Sequence, residues 1–376
     1  MSKNSPTLNL IGPVNFTGYG THFINFATNL AHLWKGKVVV EHIGDVQPGI
    51  NDSYLKQYYG KADEKGISIK IWHDHDLKMP GKYKIGYTVF ELDVFERETD
   101  IAKRDVIDEV WVPSKWAKKA VETHQNALNA DIPVSIVPEG VDERLFSHQV
   151  LPASFPYAIN VGKFEKRKGH LDIIDIWEDI DMPIFCLWAN QFVPPHIITT
   201  ELAQRGWKSR ESVNQFGISF INFVKPGKQG SIKVCFNFVP QENYIKLLKN
   251  AYLGVFPYYA EGWNLPLCEA MSCGVPCVAS NNTGPQEYIN KDNCFIIDKF
   301  TEELAVDNIF FRSKEATWMV PDKKWLKIVV ANVTNPDQSQ RVIDMRQGLK
   351  NFGANYSWSN AANVAVKRLN DIVKEL

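Results

Sequence analysis

Short apolar runs alternate with amphipathic segments along almost the whole chain, and this alternation limits the possible folds more than any other feature. Leu8-Asn-Leu-Ile11 reads as a strand, and Phe23, Phe26, Ala27, Leu30, Leu33 and Trp34 then recur at helical spacing. Further strands are expected at 38–41, 67–71, 84–90, 109–112 and 134–137, with a helix over 115–124 that Ser114 caps. Strands alternating with helices build parallel βαβ units, hence an open, doubly wound α/β sheet.

A second series of the same kind follows. Strands are expected at 157–161, 183–188, 233–238, 253–258 and 276–279, and helices at 170–177, 244–251 and 268–271. Between the series, residues 146–156 lose periodicity and carry two prolines, which places the main linker there. Residues 192–231 are less regular, and Lys225-Pro-Gly-Lys-Gln-Gly230 reads as an exposed turn. The last stretch, 358–376, is amphipathic through Ala361, Val364, Ala365, Leu369 and Val373. A chain of 376 residues is long for a single core. The reading is two Rossmann-like domains with a cleft between them, 1–150 and 156–355, the first completed by the C-terminal helix 358–376.

Composition narrows the function classes. Apolar residues make up 44% and charged residues 23%, as in ordinary globular proteins, and the net charge of -1 gives no bulk signal for nucleic acid. The six cysteines form no CxxC pair; they read as small buried residues in a reducing compartment. The absence of an apolar leader or a long apolar run makes a cytoplasmic protein the expectation.

In doubly wound sheets, ligands sit where strands turn into helices at their carboxyl ends. The first such turn, Gly12-Pro-Val-Asn-Phe-Thr-Gly18-Tyr-Gly20, reads as a glycine loop offering N–H groups to phosphate. With Glu41 at the end of the next strand it keeps a nicotinamide-dependent oxidoreductase open, although Phe23 breaks the GxGxxG pattern. The ordinary alternative is a glycine turn without a ligand. The turn Asn160-Val-Gly162-Lys163-Phe-Glu-Lys166-Arg167-Lys168-Gly169 places four cations after a strand end, suited to a diphosphate or simply to solvent. A third turn, Tyr259-Ala-Glu261-Gly-Trp-Asn-Leu-Pro-Leu-Cys-Glu269, sets two glutamates around a helix start that Pro266 suits. Acids favour helix starts in any case.

Glu261 and Glu269, separated by seven residues and followed by Ala-Met-Ser-Cys-Gly-Val-Pro, resemble the E-x7-E signature of retaining glycosyltransferases of the GT-B fold, family 4. Val161-Gly-Lys-Phe with Lys168-Gly169 is similar to that family's phosphate clamp. Glu109-Val-Trp-Val-Pro-Ser114, Val137-Pro-Glu-Gly-Val-Asp142 and Asn281-Asn-Thr-Gly-Pro-Gln-Glu287 resemble three more of its motifs, in order along the chain. The resemblance implies transfer of a hexosyl or pentosyl group from a UDP- or GDP-sugar to an acceptor hydroxyl. Anomeric configuration would be retained and no metal or other cofactor required. Domain 1–150 would be the acceptor side and 156–355 the nucleotide-sugar side, facing each other across the donor-binding cleft.

Residue by residue, the resemblance implies that Glu269 holds the donor ribose and Glu261 lies against the donor sugar. The N–H groups of Gly262, Trp263, Asn264 and Leu265 would meet sugar and β-phosphate. Lys163 and Lys168 would balance the diphosphate, with lysine at 163 where many relatives carry arginine. Gly18 and Gly20 would approach the same diphosphate, and the base would lie near Val239 and Pro240. Glu91, after a strand end, is the candidate for a catalytic contact to sugar or acceptor. His73 and His75 are metal-like in pattern, but a lone H-x-H is more often polar decoration. A non-catalytic sugar-nucleotide-binding protein is the third reading.

For the acceptor, Tyr54, Tyr58, Tyr59 and Trp72 suit either sugar stacking or ordinary packing. A glycan or lipid-linked saccharide is expected, and a modified base in nucleic acid is the minority reading. Lys115, Lys118 and Lys119 beside Trp116, and Lys225 with Lys228, suit peripheral contact with an anionic membrane or nucleic acid.

Overall fold

The computed structural model describes residues 5–150, 156–307 and 309–376. They form two compact units, one running to Asp142 and adding Tyr356–Leu376, the other spanning Glu143–Asn355. Of the expected linker 146–156, residues 151–155 lie outside the described residues.

The first unit is a six-stranded, all-parallel sheet. Its strands are β1 (Leu8–Pro13), β2 (Val38–Ile43), β3 (Ile67–Ile71), β4 (Tyr83–Tyr87), β5 (Glu109–Val112) and β6 (Val134–Ile136), in the order β2-β1-β3-β4-β5-β6. Strand β3 is buried along its whole length, as expected of a strand covered on both faces. Helix α1 (Gly18–Leu33) buries Phe23, Phe26, Ala27 and Leu30, and α2 (Lys115–Ala127) starts on the Ser114 cap, whose hydroxyl accepts from Ala117 N. The C-terminal helix (Trp358–Glu375) packs on α1 through a face that includes Ala361, Ala362, Ala365 and Leu369. Its Arg368 grips the fully buried Glu109, with Nη2 2.9 Å from Oε2.

The second unit carries an eight-stranded sheet. Strands β7 (Ala158–Val161), β8 (Pro183–Leu187), β9 (Lys208–Gln215), β10 (Ile218–Val224), β11 (Ser231–Cys235), β12 (Leu253–Phe256), β13 (Cys277–Ser280) and β14 (Phe295–Ile297) take the order β14-β13-β12-β7-β8-β11-β10-β9. The sheet is parallel except that β10 runs against both β9 and β11. Helices α3 (His170–Ile176), α4 (Pro195–Gln204), α5 (Gln241–Lys249) and α6 (Leu265–Ser272) connect these strands. After β14 come the two-stranded pair β15 (Phe300–Val306) and β16 (Arg312–Pro321), then α7 (Lys323–Thr334) and α8 (Ser339–Gly348). Trp177, Trp188, Ile184, Val255 and Val278 lie in the core.

The stretch 192–231, expected to be irregular, is instead α4 followed by the β9–β10 hairpin. Strand β9 reads Lys-Ser-Arg-Glu-Ser-Val-Asn-Gln and is exposed along most of its length, so it shows no apolar alternation. Its charges suit an edge strand, which must discourage pairing with other chains. All six cysteines are free and buried.

Each sheet has one point where the winding reverses. In the first unit it lies between β1 and β3, and in the second between β7 and β12, because β7 is followed outward by β8 on one side and flanked by β12 on the other. Ligands bind at the carboxyl ends of such switch points.

Candidate functional site

At the second unit's switch point, the buried Asn160 near the end of β7 ties three strands together. Its Oδ1 accepts from Trp188 Nε1 at 2.6 Å, and its Nδ2 donates to Val255 O on β12 at 2.6 Å. A polar network satisfied in this way is rigid, since breaking either bond strands a buried group. The turns that leave β7 and β12 are therefore held at a set distance, and their charges meet.

Those charges alternate in sign. Lys163 Nζ lies 2.5 Å from Glu165 Oε1, Arg167 Nε lies 2.8 Å from Glu165 Oε2, and Arg167 Nη1 lies 2.9 Å from Glu261 Oε2. Lys168 Nζ closes the row on Glu261 Oε1. Glu165, Arg167 and Glu261 are buried, while Lys163 keeps 40% of its side chain exposed. Burial pushes the Glu261 carboxyl up, but the Arg167 and Lys168 charges outweigh it and hold it below the usual carboxylate range. Arg167 is thus a structural cross-link rather than a solvated cation, a correction to its place in the expected four-cation clamp. His170, which opens α3, accepts from Glu165 N at 3.2 Å on Nδ1 and is kept neutral by burial and by Lys168 and Arg167. Together with Asn160, Lys168, Glu261 and Asn264 it lines a small recess.

The β12–α6 connection is shaped from a distance. Glu261 N donates to Thr283 Oγ1 at 3.0 Å, and Gly284 N donates to Glu261 O at 3.0 Å. Thr283 has φ 53° and ψ -146°, a conformation costly for a β-branched residue and one that marks functional turns. Gly284 fits because a Cβ there would lie 1.8 Å from Gly262 O. Asn264, at φ 71°, caps α6 by accepting from Leu267 N at 3.2 Å. The backbone N–H groups of Gly262, Trp263, Asn264 and Leu265 have no intramolecular acceptor among the described residues. They gather at a helix start, where the dipole favours an anion.

Glu269 sits in the second turn of α6, outside the charge row. Tyr244 of α5 donates to its Oε2 at 2.6 Å, and burial raises the carboxyl to about 7. Being raised from 4.5, this group draws a proton into the folded state, so it costs stability as pH climbs from 4.5 to about 7. Val239 is half-buried, and the exposed Pro240 caps α5, the helix that supplies Tyr244. The second unit thus brings Lys163, Lys168, Glu261 and the Gly262–Leu265 backbone together, with Glu269 beyond them on the same helix.

In the first unit, Gly18 and Gly20 are not a loop; they form the first turn of α1, capped by Thr17. A Cβ on Gly20 would come within 2.1 Å of Asn15 O, so packing alone requires that glycine, whereas one on Gly18 would meet nothing. Strand β2 runs on past Glu41 to Ile43, and the Glu41 carboxylate accepts from Ala62 N at 2.7 Å. Both points remove support from the nicotinamide reading. Glu91 is half-buried beyond β4.

His73 and His75 stack with ring centroids 5.6 Å apart, and no group of three or more metal-ligating side chains occurs among the described residues. Tyr19 packs on Trp72 and His73 at 5.6 and 4.8 Å. Tyr54 stacks on His32 at 4.1 Å and meets Tyr58 at 5.6 Å, and Tyr59 donates to Asp52 at 2.8 Å, so all four proposed sugar platforms, Trp72 included, take part in packing. Lys118 pairs with Glu122, Lys225 with Glu178 and Lys228 with Asp179, which leaves little of the expected free cationic surface.

His170 and Tyr244 at the second unit's site carry no local signal in sequence; within the first unit, separately, His22 and Glu139 form a buried pair 3.0 Å apart. Glu165, Thr283 and Glu139 lie inside stretches already singled out.

Comparison with known proteins bears on the fold and on the class of protein this chain resembles. Residues 231–310, which contain both glutamates, Tyr244 and Thr283, match the family model for glycosyl transferases group 1. O-antigen chain mannosyltransferase B of Escherichia coli is 29% identical over 133 residues, covering 35% of this chain but only 30% of that protein. Among solved structures, the Anabaena protein Alr3699/HepE in complex with UDP and glucose superposes with a TM-score of 0.67 at 10% identity, covering 98% of this chain and 100% of that one. A glycosyltransferase from Rickettsia africae ESF-5 gives 0.65 at 13% identity over 99% and 100%. The fold is therefore the α/β GT-B fold, with two Rossmann-like units. No helix among the described residues is long and apolar enough to cross a membrane.

Proposed function

We propose that the protein is a glycosyltransferase that moves a sugar from a nucleoside-diphosphate sugar to an acceptor hydroxyl. The observation that carries this is the Lys168–Glu261–Arg167 row beside the open N–H groups of Gly262–Leu265, at a sheet switch point. A diphosphate arriving there meets ammonium, backbone donors and a helix dipole at once, all preorganised. On this reading Lys163 and Lys168 neutralise charge as it builds on the leaving diphosphate, and Glu261 holds Lys168 and faces the sugar. Glu269 takes the ribose hydroxyls and Val239–Pro240 the base. Glu91, Gly18 and Gly20 are the first unit's proposed contacts.

The finer reading is retention of configuration without a metal, from a UDP- or GDP-sugar, to a glycan or lipid-linked acceptor in the cytoplasm. The bound UDP and glucose of the Anabaena neighbour and the mannosyltransferase description of the E. coli relative support that donor and acceptor class.

A thermal-shift screen of nucleotide sugars tests the proposal. A ligand at about 100 times its Kd stabilises by about 2.7 kcal/mol, which corresponds to roughly 5–10 °C for a unit of this size. One UDP- or GDP-sugar should give such a rise and NAD none; the opposite pattern returns the oxidoreductase. Binding without transfer or hydrolysis across an acceptor panel would support the non-catalytic reading.

Glu269 adds a pH signature. Ionised, it accepts from two ribose hydroxyls; protonated, it loses part of that capacity. Affinity for the nucleoside diphosphate should therefore rise between pH 6 and 8 around the raised value of about 7. In Glu269→Gln that component should vanish, leaving only the ligand's own ionisation. Parallel pH profiles for the two proteins would remove Glu269 from the ribose site.

A further inference from the structure

Lys163 is a partly exposed side chain that is nonetheless bounded on three sides. Beyond the Glu165 carboxylate at 2.5 Å, its ammonium lies 4.3 Å from the centre of the Phe310 ring and 5.6 Å from that of Phe192. The two rings meet edge to face at 5.5 Å. Phe192 follows β8 and Phe310 lies between β15 and β16, so residues remote in sequence converge on one ammonium. The hairpin is fastened to the same basic turn: Lys166 Nζ donates to Val306 O at 3.1 Å, and the Arg167 guanidinium lies 6.0 Å from the Phe311 ring. Phe192 is 58% exposed and Phe310 37%, so hydrophobic burial does not account for their placement.

We propose that Phe310, with Phe192 and Glu165, positions Lys163 for a phosphate oxygen of the ligand; this rests on the nucleoside-diphosphate reading of the site. A guanidinium presents a planar fork that orients itself, whereas an ammonium on a four-carbon stem is a point charge with much rotamer freedom to lose. Ring faces attract the ammonium through their quadrupoles without neutralising it, so they restrict its position and leave its charge available. Glu165 sets the inner limit of that position. The β15–β16 hairpin thereby becomes part of the ligand site rather than an appendage to it.

The test is a titration of the full chain with UDP and with GDP. Phe310→Ala should weaken the tighter nucleotide about two- to five-fold, the range of an exposed cation–π contact. Phe310→Tyr, which keeps the ring face, should restore it. In a Lys163→Ala background, Phe310→Ala should have no further effect, since the contact it removes is already gone. Equal weakening in both backgrounds, or none in the parent protein, overturns the positioning role. A parent protein that binds neither nucleotide fails differently, because it removes the underlying reading together with this one. An unchanged melting temperature for Phe310→Ala shows that the variant is folded.

Discussion

Glu261→Gln is expected to lower sugar transfer by about 10²- to 10³-fold, the usual effect of losing a preorganised charged partner, and to lower the melting temperature as well. The carboxamide loses the negative charge and keeps one acceptor oxygen, whereas Arg167 and Lys168 each sit on a different oxygen, so its NH₂ group faces one of the two cations. Removing one partner of a buried pair costs about 3–5 kcal/mol, or upwards of roughly 6 °C in a unit of this size. The stability contribution has a pH sign. Because the folded carboxyl is held below its unfolded value of 4.5, the contribution is complete above that pH and fades as pH falls through the depressed value. Parent and variant should therefore converge in stability in acid.

Lys168→Met separates chemistry from scaffolding. It keeps the Arg167–Glu261 pair, so the melting temperature should fall less, while transfer falls as far as in Glu261→Gln. Full transfer by Lys168→Met would remove that lysine from the diphosphate site.

Gly284→Ala is the second large effect, and it acts from outside the site. The new Cβ would sit 1.8 Å from Gly262 O and 2.9 Å from Glu261 O, so the loop carrying the open N–H groups must move. Overpacking of this kind costs about 1–3 kcal/mol or more, and a displacement of about 1 Å in a reacting site can cost about 10²-fold in rate. Gly18→Ala is the control: its Cβ meets nothing, so stability should hold, and any loss of nucleotide affinity would report a ligand contact there. Wild-type transfer by Gly284→Ala would show that the loop's position does not matter to the reaction.

How much of this was legible beforehand differs from element to element. The strands 67–71 and 109–112 have the expected bounds, because buried β-branched and aromatic runs between turn residues have few other uses. The hairpin β9–β10 was missed because its outer strand is polar and exposed, so the apolar period that reveals a strand is absent. The two glutamates around the start of α6 stood out through their spacing and the resemblance it carries, yet their environments could not be read. Glu261 ends up depressed and cross-linked, and Glu269 raised to about 7, although both precede or enter the same helix.

Local pattern, then, determined the alternation of strand and helix, the turns worth inspecting, and the identity of Lys163, Lys168, Glu261 and Glu269 as candidates. The alternation and the turns follow from periodicity, which acts between residues near in sequence, and the four candidates follow from the family resemblance that their motifs carry. Only the tertiary structure decided which charges meet. The β7 turn and the β12 loop are 93 residues apart where Lys168 reaches Glu261, and they touch because Asn160 joins their strands across the switch point. The same holds for Thr283 under Glu261 and Phe310 over Lys163. Burial and the charges that packing brings together, which between them set the direction of each shift in this site, belong to the packed chain and have no counterpart in any local window of sequence.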